Sequence, residues 1–351
     1  MKVNKYTLFE MALLFIVAIL GKIYQFTMLN GYAFGIINRM ISLLHTNYVP
    51  LDMSYKLPLK FFRLFKFLPF NTAKEWAIFW TIIMNIVFFI FLLKYKKKYS
   101  NQELLFIYAS MFILDVFVFN INKDLVQCLI VFMIFLLTNF KLSNKIKIVI
   151  AALIMFWEST CFRPYYIFGA LTILIVFFVL NKYIIDKNIN KKSVIKAISL
   201  ILILLFVAIF IAQYINNKAY NELLSRRDTL AEDIDANTVI VDMIPGNGYI
   251  NYCINYVINL LRLSFPVELL FMGIKYIPFV IYQIYLTISI IKNLKNINKI
   301  NIFNISFIVG YWLMLFASES DFGTLVRHQA ILFPFYLQMI DENIKRKKGV
   351  V

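Results

Sequence analysis

The sequence predicts an all-α polytopic integral membrane protein of about ten transmembrane helices, with amphipathic or re-entrant segments on the outer side. Three observations lead there. The 351 residues are 61% hydrophobic, with a mean hydropathy of +0.75, and only 16% are charged, where a soluble chain carries about a quarter. Apolar runs approaching the ~20 residues needed to cross a bilayer recur along the whole chain. Lysines gather at the ends of alternate runs, as the positive-inside rule requires of cytoplasmic ends. The formal net charge of +17 is thereby explained by topology and does not require nucleic acid as a partner.

Taken in order, the spans fall at 8–26, 76–93, 104–119, 125–140, 148–157 (continuing toward Phe162), 167–180, 197–215, 269–291, 302–316 and 330–340. The first run is long and lacks a small-x-small cleavage site, so it reads as a span rather than a removed leader. Lys2 and Lys5 precede it, and Lys94, Lys96, Lys97 and Lys98 close the second span. Lys141, Lys145 and Lys147 follow the fourth, and five lysines lie across 181–196. Lys292, Lys295 and Lys299 follow the eighth, and Lys345-Arg346-Lys347-Lys348 the tenth. With both termini cytoplasmic, every such cluster is inside. One membrane domain, 1–351, then carries two long outer segments, 27–75 and 216–268. Within the first, 57–70 places basic groups every three residues among Leu and Phe, the pattern of a helix lying against lipid headgroups. Within the second, 250–263 reads as a semi-polar helix, in-plane or re-entrant.

This orientation sorts the basic residues by kind. Seven of the eight arginines (Arg39, Arg63, Arg163, Arg226, Arg227, Arg262 and Arg327) fall outside, and only Arg346 falls inside. Lysine serves topology as a point charge, whereas the guanidinium fork grips phosphate or carboxylate in two places. The outer face is therefore the predicted working face, and an anionic ligand the simplest reason for it.

Ser318-Glu319-Ser320-Asp321-Phe322-Gly323-Thr324-Leu325-Val326-Arg327-His328-Gln329 is the densest outer stretch. Either its acids and bases satisfy one another, or Arg327 binds a phosphate while His328 or Asp321 moves a proton. Arg163, in the turn before the sixth span, is costly at a membrane boundary and must meet Glu158 or a ligand. Tyr165 and Tyr166 beside it read as interfacial belt residues. Asn122-Lys123-Asp124 reads as a capping turn or as a second phosphate contact through Lys123. Asp115 and Glu10 lie inside spans and call for partners within the bundle, and His45 has no ligand-like companion. Glu232, Asp233 and Asp235 read as a solvated acidic turn rather than a hard-cation site. The three cysteines (Cys128, Cys161 and Cys253) are too far apart in sequence for a metal or disulfide framework. With no HExxH, CxxC, Walker A or dinucleotide pattern, no metal and no cofactor is expected.

The layout of spans, the outer arginines and the enlarged outer loop resemble the bacterial O-antigen and capsule polymerases of the Wzy type. The turns Asn122-Lys123-Asp124, Phe162-Arg163-Pro164-Tyr165 and 320–328 are similar to short stretches in such proteins. The resemblance implies a plasma-membrane enzyme that joins polyprenyl-diphosphate-linked oligosaccharide repeat units on the outer side, among membrane lipid and other polysaccharide-assembly proteins. It implies diphosphate binding by Arg327, Arg163, Lys123, Arg226, Arg227 and Arg262, with His328 or Asp321 as base. Two alternatives stand beside it. A multi-span glycosyltransferase using a polyprenyl-phosphate sugar would place an acid early in the first outer loop, where Asp52 is the nearest. A lipid-linked oligosaccharide flippase would need charge inside many spans.

Overall fold

A computed structural model of the chain describes residues 5–28, 32–46, 52–96, 98–182, 191–215, 221, 238–245, 248–298, 301–319 and 321–347. Among these residues the regular structure is helical, apart from one isolated antiparallel bridge between Val239 and Asp321. Four helices are long and apolar enough to cross a membrane: Leu8–Met28, Ala73–Tyr95, Asn101–Val118 and Ile277–Leu294. Three shorter apolar helices accompany them, at Tyr166–Leu180, Ile195–Ile211 and Ile302–Ser318. The all-helical, membrane-type reading therefore holds, while the described helices do not reach ten full crossings. Two breaks account for part of the difference. The expected span 269–291 is interrupted at Gly273, whose φ of 142° is open only to glycine. The expected span 330–340 is cut by a turn at 331–332, and Pro334 opens the helix that follows.

The chain divides into two compact units, one of Met1–Met133 with Ala330–Leu337, the other of Ile134–Gln329 with Gln338–Val351. The first holds α1 (Lys5–Met28), α2 (Tyr32–His45), α3 (Met53–Arg63), α4 (Ala73–Tyr95), α5 (Asn101–Ile113) and most of α6 (Lys123–Leu136). α4 and α5 start with reciprocal capping boxes, Thr72 with Glu75 and Ser100 with Glu103, which satisfy the orphan N–H groups of their first turns. The expected interfacial piece 57–70 forms α3 and a run of turns. Tyr55, Pro58, Leu59 and Phe62 are buried, while Leu64 and Phe67 are exposed.

α5 continues as one π-helical turn, Leu114–Val118. Such a turn shifts the hydrogen-bond register and leaves carbonyls seeking donors. Lys22 of α1 supplies them: Nζ donates to the Asp115 carbonyl (2.6 Å) and the Phe119 carbonyl (3.2 Å), and also to Gln25 Oε1 and Asn120 Oδ1. Asn85 donates to Asp115 Oδ1 at 2.6 Å. The expected bundle partners of Asp115 are thus Asn85 and the Lys22 cluster. Gly21 makes the approach possible, because a Cβ there would come within 3.0 Å of Asp115 Cβ.

The second unit is built around a helix buried along nearly its whole surface, α13 (Ile302–Ser318). It packs on the hairpin of α7 (Asn144–Cys161) and α8 (Tyr166–Leu180), which leads into α9 (Lys191–Ile215). α10 (Tyr249–Ser264) is the expected semi-polar helix. α11 (Glu268–Met272) and α12 (Ile277–Leu294) follow it, α14 (Phe322–Ala330) comes after α13, and of α15 (Phe333–Lys347) only the part from Gln338 onward belongs to this unit. At the α8–α13 crossing a Cβ on Gly310 would lie 2.6 Å from Ile173 Cα and 2.8 Å from Ile173 N, and Thr172 Oγ1 donates to the Gly310 carbonyl at 3.0 Å. Small residues that let two backbones touch are how helices associate where lipid removes the hydrophobic drive between them.

Gly310→Ala is accordingly expected to cost about 1–3 kcal/mol, the usual penalty of overpacking. Gly169→Ala, whose new methyl meets only the flexible ends of Met155 and Met314, should cost less. Thermal unfolding of the two purified variants in one detergent checks this, and an equal or reversed ranking would refute the backbone-limited crossing.

Candidate functional site

Two chain reversals in the second unit build the site. α7 ends because Pro164 disfavours helical backbone at the residue before it. The Glu158 carbonyl accepts from both Phe162 N (2.8 Å) and Arg163 N (3.2 Å), and α8 restarts at Tyr166. On the other side, α13 stops at Ser318 and Glu319 turns extended. Asp321 then caps α14, its Oδ2 accepting from Thr324 N at 2.7 Å. The short helix α14 carries Arg327 and His328 in its last turn.

The two reversals meet through side chains. Arg163 Nη1 lies 3.3 Å from His328 Nε2 and donates to the hydroxyls of Tyr165 and Tyr166, both at 3.2 Å. His328 Nδ1 lies 3.1 Å from Glu319 Oε1. Tyr166 and Tyr311 hydroxyls sit 3.5 Å apart. The guanidinium also lies over the rings of Phe162 (5.0 Å) and Tyr166 (5.8 Å). Arg163 is 3% exposed and His328 1%, and Glu158, Glu319 and the three tyrosines are fully enclosed. Glu158 acts electrostatically on both Tyr166 and Tyr311.

This geometry assigns the imidazole protons. A guanidinium only donates, so Nε2 facing it must be the acceptor nitrogen. Nδ1 then carries the hydrogen and donates to the Glu319 carboxylate. His328 is held in the neutral Nδ1–H form with its Nε2 lone pair aimed at Arg163. A carboxylate fixing the tautomer of a histidine whose other nitrogen meets the reacting group is the orientation used in nucleophile-activating triads.

No protein-family model, curated protein or solved structure matches this chain. The chemistry of the site therefore rests on its own geometry. The cluster combines an imidazole, a guanidinium, a carboxylate and a shell of aromatic hydroxyls.

The other expected site residues distribute as follows. Asp321 is drawn into structure: besides capping α14 it accepts from the Thr238 hydroxyl, and Phe322 N donates to the Thr238 carbonyl at 3.0 Å. Arg327 is half-buried on α14, one residue from His328 and so about 100° round the helix from it. Arg262 spans Glu268 with two bonds of 2.6 and 2.7 Å and donates to the Val241 carbonyl at 2.8 Å. Those bonds hold the Glu268 carboxyl below the usual range. Lys123 belongs to the first unit, donating to Ser54 Oγ at 3.1 Å with its ammonium 4.4 Å from the Tyr55 ring centroid. The Arg39 guanidinium lies 4.8 Å from the same centroid. Arg226, Arg227, Glu232, Asp233 and Asp235 lie outside the described residues. Among the described residues no cluster of three His, Cys, Asp or Glu is placed to hold a metal ion.

Two features are new relative to the sequence reading. Tyr165 and Tyr166 are not belt residues but enclosed partners of Arg163, joined by Tyr311 from the middle of α13. A strap, residues 238–245, is laid along α10 by a ladder of polar side chains. Asn255 exchanges bonds with Ile244 N and O, Asn259 donates to Asp242, and Arg262 closes the far end. Their spacing of four and three residues puts them on one helix face. On the adjoining edge of that face Tyr252 and Tyr256 donate to the Ala317 and Leu313 carbonyls of α13. That Asn-and-Tyr interleaving was the available signal.

Removing the acceptor from His328 leaves a buried N–H bare, so Glu319→Ala is expected to lose about 1–3 kcal/mol and Glu319→Gln clearly less. Asp321→Ala should cost about 1 kcal/mol as a lost helix cap. Denaturation midpoints of the three proteins test the assignment: an unaffected Glu319→Ala would mean that His328 is not held this way.

Proposed function

We propose that this chain is a membrane polymerase joining polyprenyl-diphosphate-linked oligosaccharide repeat units into a surface polysaccharide, without metal or cofactor. The observation that carries the reading is the Arg163–His328–Glu319 constellation. It brings together two of the three turns that resemble the Wzy-type proteins and gives a bundle of apolar helices an enclosed imidazole beside an enclosed guanidinium. The finer topology proposed with it has ten crossings, both ends cytoplasmic, and these loops on the outer side of a bacterial plasma membrane.

In this reaction Arg163 takes the diphosphate of the donor lipid, with Arg327, on the same short helix as His328, as the outer contact. The acceptor sugar hydroxyl attacks the donor anomeric carbon. The new C–O bond forms as the bond from that carbon to the diphosphate oxygen breaks, and the lipid diphosphate leaves with the electron pair. His328 Nε2 accepts the hydroxyl proton, and Glu319 stabilises the resulting imidazolium. General-base assistance of this kind contributes about 10²–10⁴-fold. Guanidinium is suited to the leaving group because its bonds to phosphate are short and bidentate.

A second reading, a lipid-linked oligosaccharide flippase, has one observation in its favour, the charged Lys22–Asp115 cluster buried inside the first unit. Size analysis of lipid-linked and surface glycan separates the readings. In a deletion strain, complete single repeat units outside the cell should be restored to long chains by the wild-type gene and not by His328→Ala. An incomplete repeat would indicate the glycosyltransferase, and complete units held on the inner leaflet the flippase. Unchanged glycan would refute all three.

A further inference from the structure

Two neighbouring oxygens deep in the first unit receive no hydrogen. Asn85 Nδ2 donates to Asp115 Oδ1 at 2.6 Å, but the second oxygen of each group, Asp115 Oδ2 and Asn85 Oδ1, is buried without a hydrogen-bond partner. Both residues are fully enclosed, on two of the helices long and apolar enough to cross a membrane. We propose that Asp115 is a proton-binding site, held as a neutral acid and closed into a ring with the Asn85 amide. The proposal goes beyond the chemistry assigned to the second unit and does not depend on it.

Three observations carry it. First, the pattern of met and unmet atoms is that of an acid facing an amide. An ionised carboxylate only accepts, so beside Asn85 Oδ1 it sets two acceptors with no donor between them. One proton on Asp115 Oδ2 removes both deficits: the O–H donates to Asn85 Oδ1 while Asn85 Nδ2 donates to Asp115 Oδ1. Buried polar atoms left unmet are rare and costly. Second, the neighbouring ammonium bypasses the carboxyl group. Lys22 and Asp115 act on each other electrostatically, yet Lys22 Nζ bonds to four uncharged oxygens, one of them the backbone carbonyl of Asp115 itself at 2.6 Å. A carboxylate would be the strongest acceptor within reach of that flexible stem. Third, the one hydrogen bond to the carboxyl comes from a neutral amide, and a carboxylate so poorly supplied with donors in apolar surroundings neutralises by taking up a proton.

A metal cation in place of the proton is disfavoured twice. It would sit beside an ammonium of the same sign, and it would need several more oxygens, whereas those nearby already bind Lys22. Lys22 from α1 is the charged group facing the acid; α4 presents Thr81 and Asn85, and the turn after α5 presents Asn120, none of which titrates. The proton also guards the π turn. An ionised Asp115 would compete for the ammonium that the Asp115 and Phe119 carbonyls now hold, so proton occupancy and the closure of that turn are linked.

Infrared spectra of the full-length protein in lipid nanodiscs at neutral pH, with and without ¹³C in the aspartate side-chain carboxyls, test this. A protonated-carboxyl stretching band that shifts with the label should be present in the wild type, lost in Asp115→Asn and displaced in Asn85→Leu, which takes away the ring partner. No label-sensitive band in the wild type overturns the proposal and leaves water or an alkali ion to meet the two oxygens. A band that neither variant alters belongs to another aspartate and overturns it equally. A band that appears only when N-methylglucamine replaces sodium in the buffer makes sodium the resident ligand, and again overturns it. Thermal unfolding is an independent check. An amide at position 115 keeps a donor toward Asn85 Oδ1 and an acceptor for Asn85 Nδ2, so Asp115→Asn should unfold close to the wild-type temperature. A large drop, or failure to fold, is the result for a buried Lys22–Asp115 ion pair stripped of its anion and refutes the neutral acid.

Discussion

A guanidinium cannot be left without partners among apolar side chains, and Arg163 is 97% enclosed. An ionised group taken out of water loses hydration worth several kcal/mol even after relaxation, and Arg cannot escape by losing its proton. The second unit is organised by that constraint. The α7–α8 reversal delivers the charge, and it has to be met by acceptors from elsewhere in the chain. Tyr165 and Tyr166 come from its own turn, His328 from a helix more than 150 residues away in sequence, and Glu319 then secures His328. Each partner is itself polar and enclosed, so each needs the next. The result is a connected network rather than an isolated pair, which is how polar groups persist in low-dielectric surroundings.

Backbone packing sets where that network sits. Gly310 has no Cβ, so α13 runs against Ile173 of α8 at backbone distance, and the next residue, Tyr311, is carried within reach of the Tyr166 hydroxyl. α13 in turn receives the Tyr252 and Tyr256 hydroxyls of α10, and α10 holds the strap that ends at Thr238 and pins Asp321. Asp321 fixes the start of α14, and α14 fixes His328. A methyl group at one helix crossing is thereby linked to the aim of an imidazole through packing alone, since cores are close to solid and transmit small displacements.

Much of this was legible in the sequence, for identifiable reasons. Arg163 and the 318–329 stretch stand out because an apolar, lysine-rich chain has no default use for Arg, His and paired acids at those places. The long apolar helices and the semi-polar 250–263 segment follow from hydropathy. What was hidden depends on boundaries and long-range pairing. Glu319 and Asp321 are two residues apart and chemically equivalent; which one faces His328 and which one caps a helix depends on where α13 stops, a matter of one or two residues. The tyrosines resemble belt residues because an interface is the commonest home for Tyr in such chains. Lys22 and Asp115 are 93 residues apart, and no periodicity connects them. Gly273 looks like any glycine until its φ is known.

Among the described residues Lys22 and Arg163 are both buried, and they differ in what they are bonded to. Lys22 is gripped by four oxygens, two of them backbone carbonyls left open by the π turn, at distances down to 2.6 Å. Displacing it would take a donor from the Asp115 carbonyl and leave the Phe119 carbonyl with only the Thr81 hydroxyl, a cost in an apolar interior of several kcal/mol, so its place is structural. Arg163 Nη1 reaches side chains instead, two hydroxyls and an imidazole at 3.2–3.3 Å. Those partners are side chains with rotational freedom, and the Tyr166 and Tyr311 hydroxyls already approach each other at 3.5 Å. Lys22 thus closes a break in the helix backbone, whereas Arg163 joins side chains delivered by two separate chain reversals.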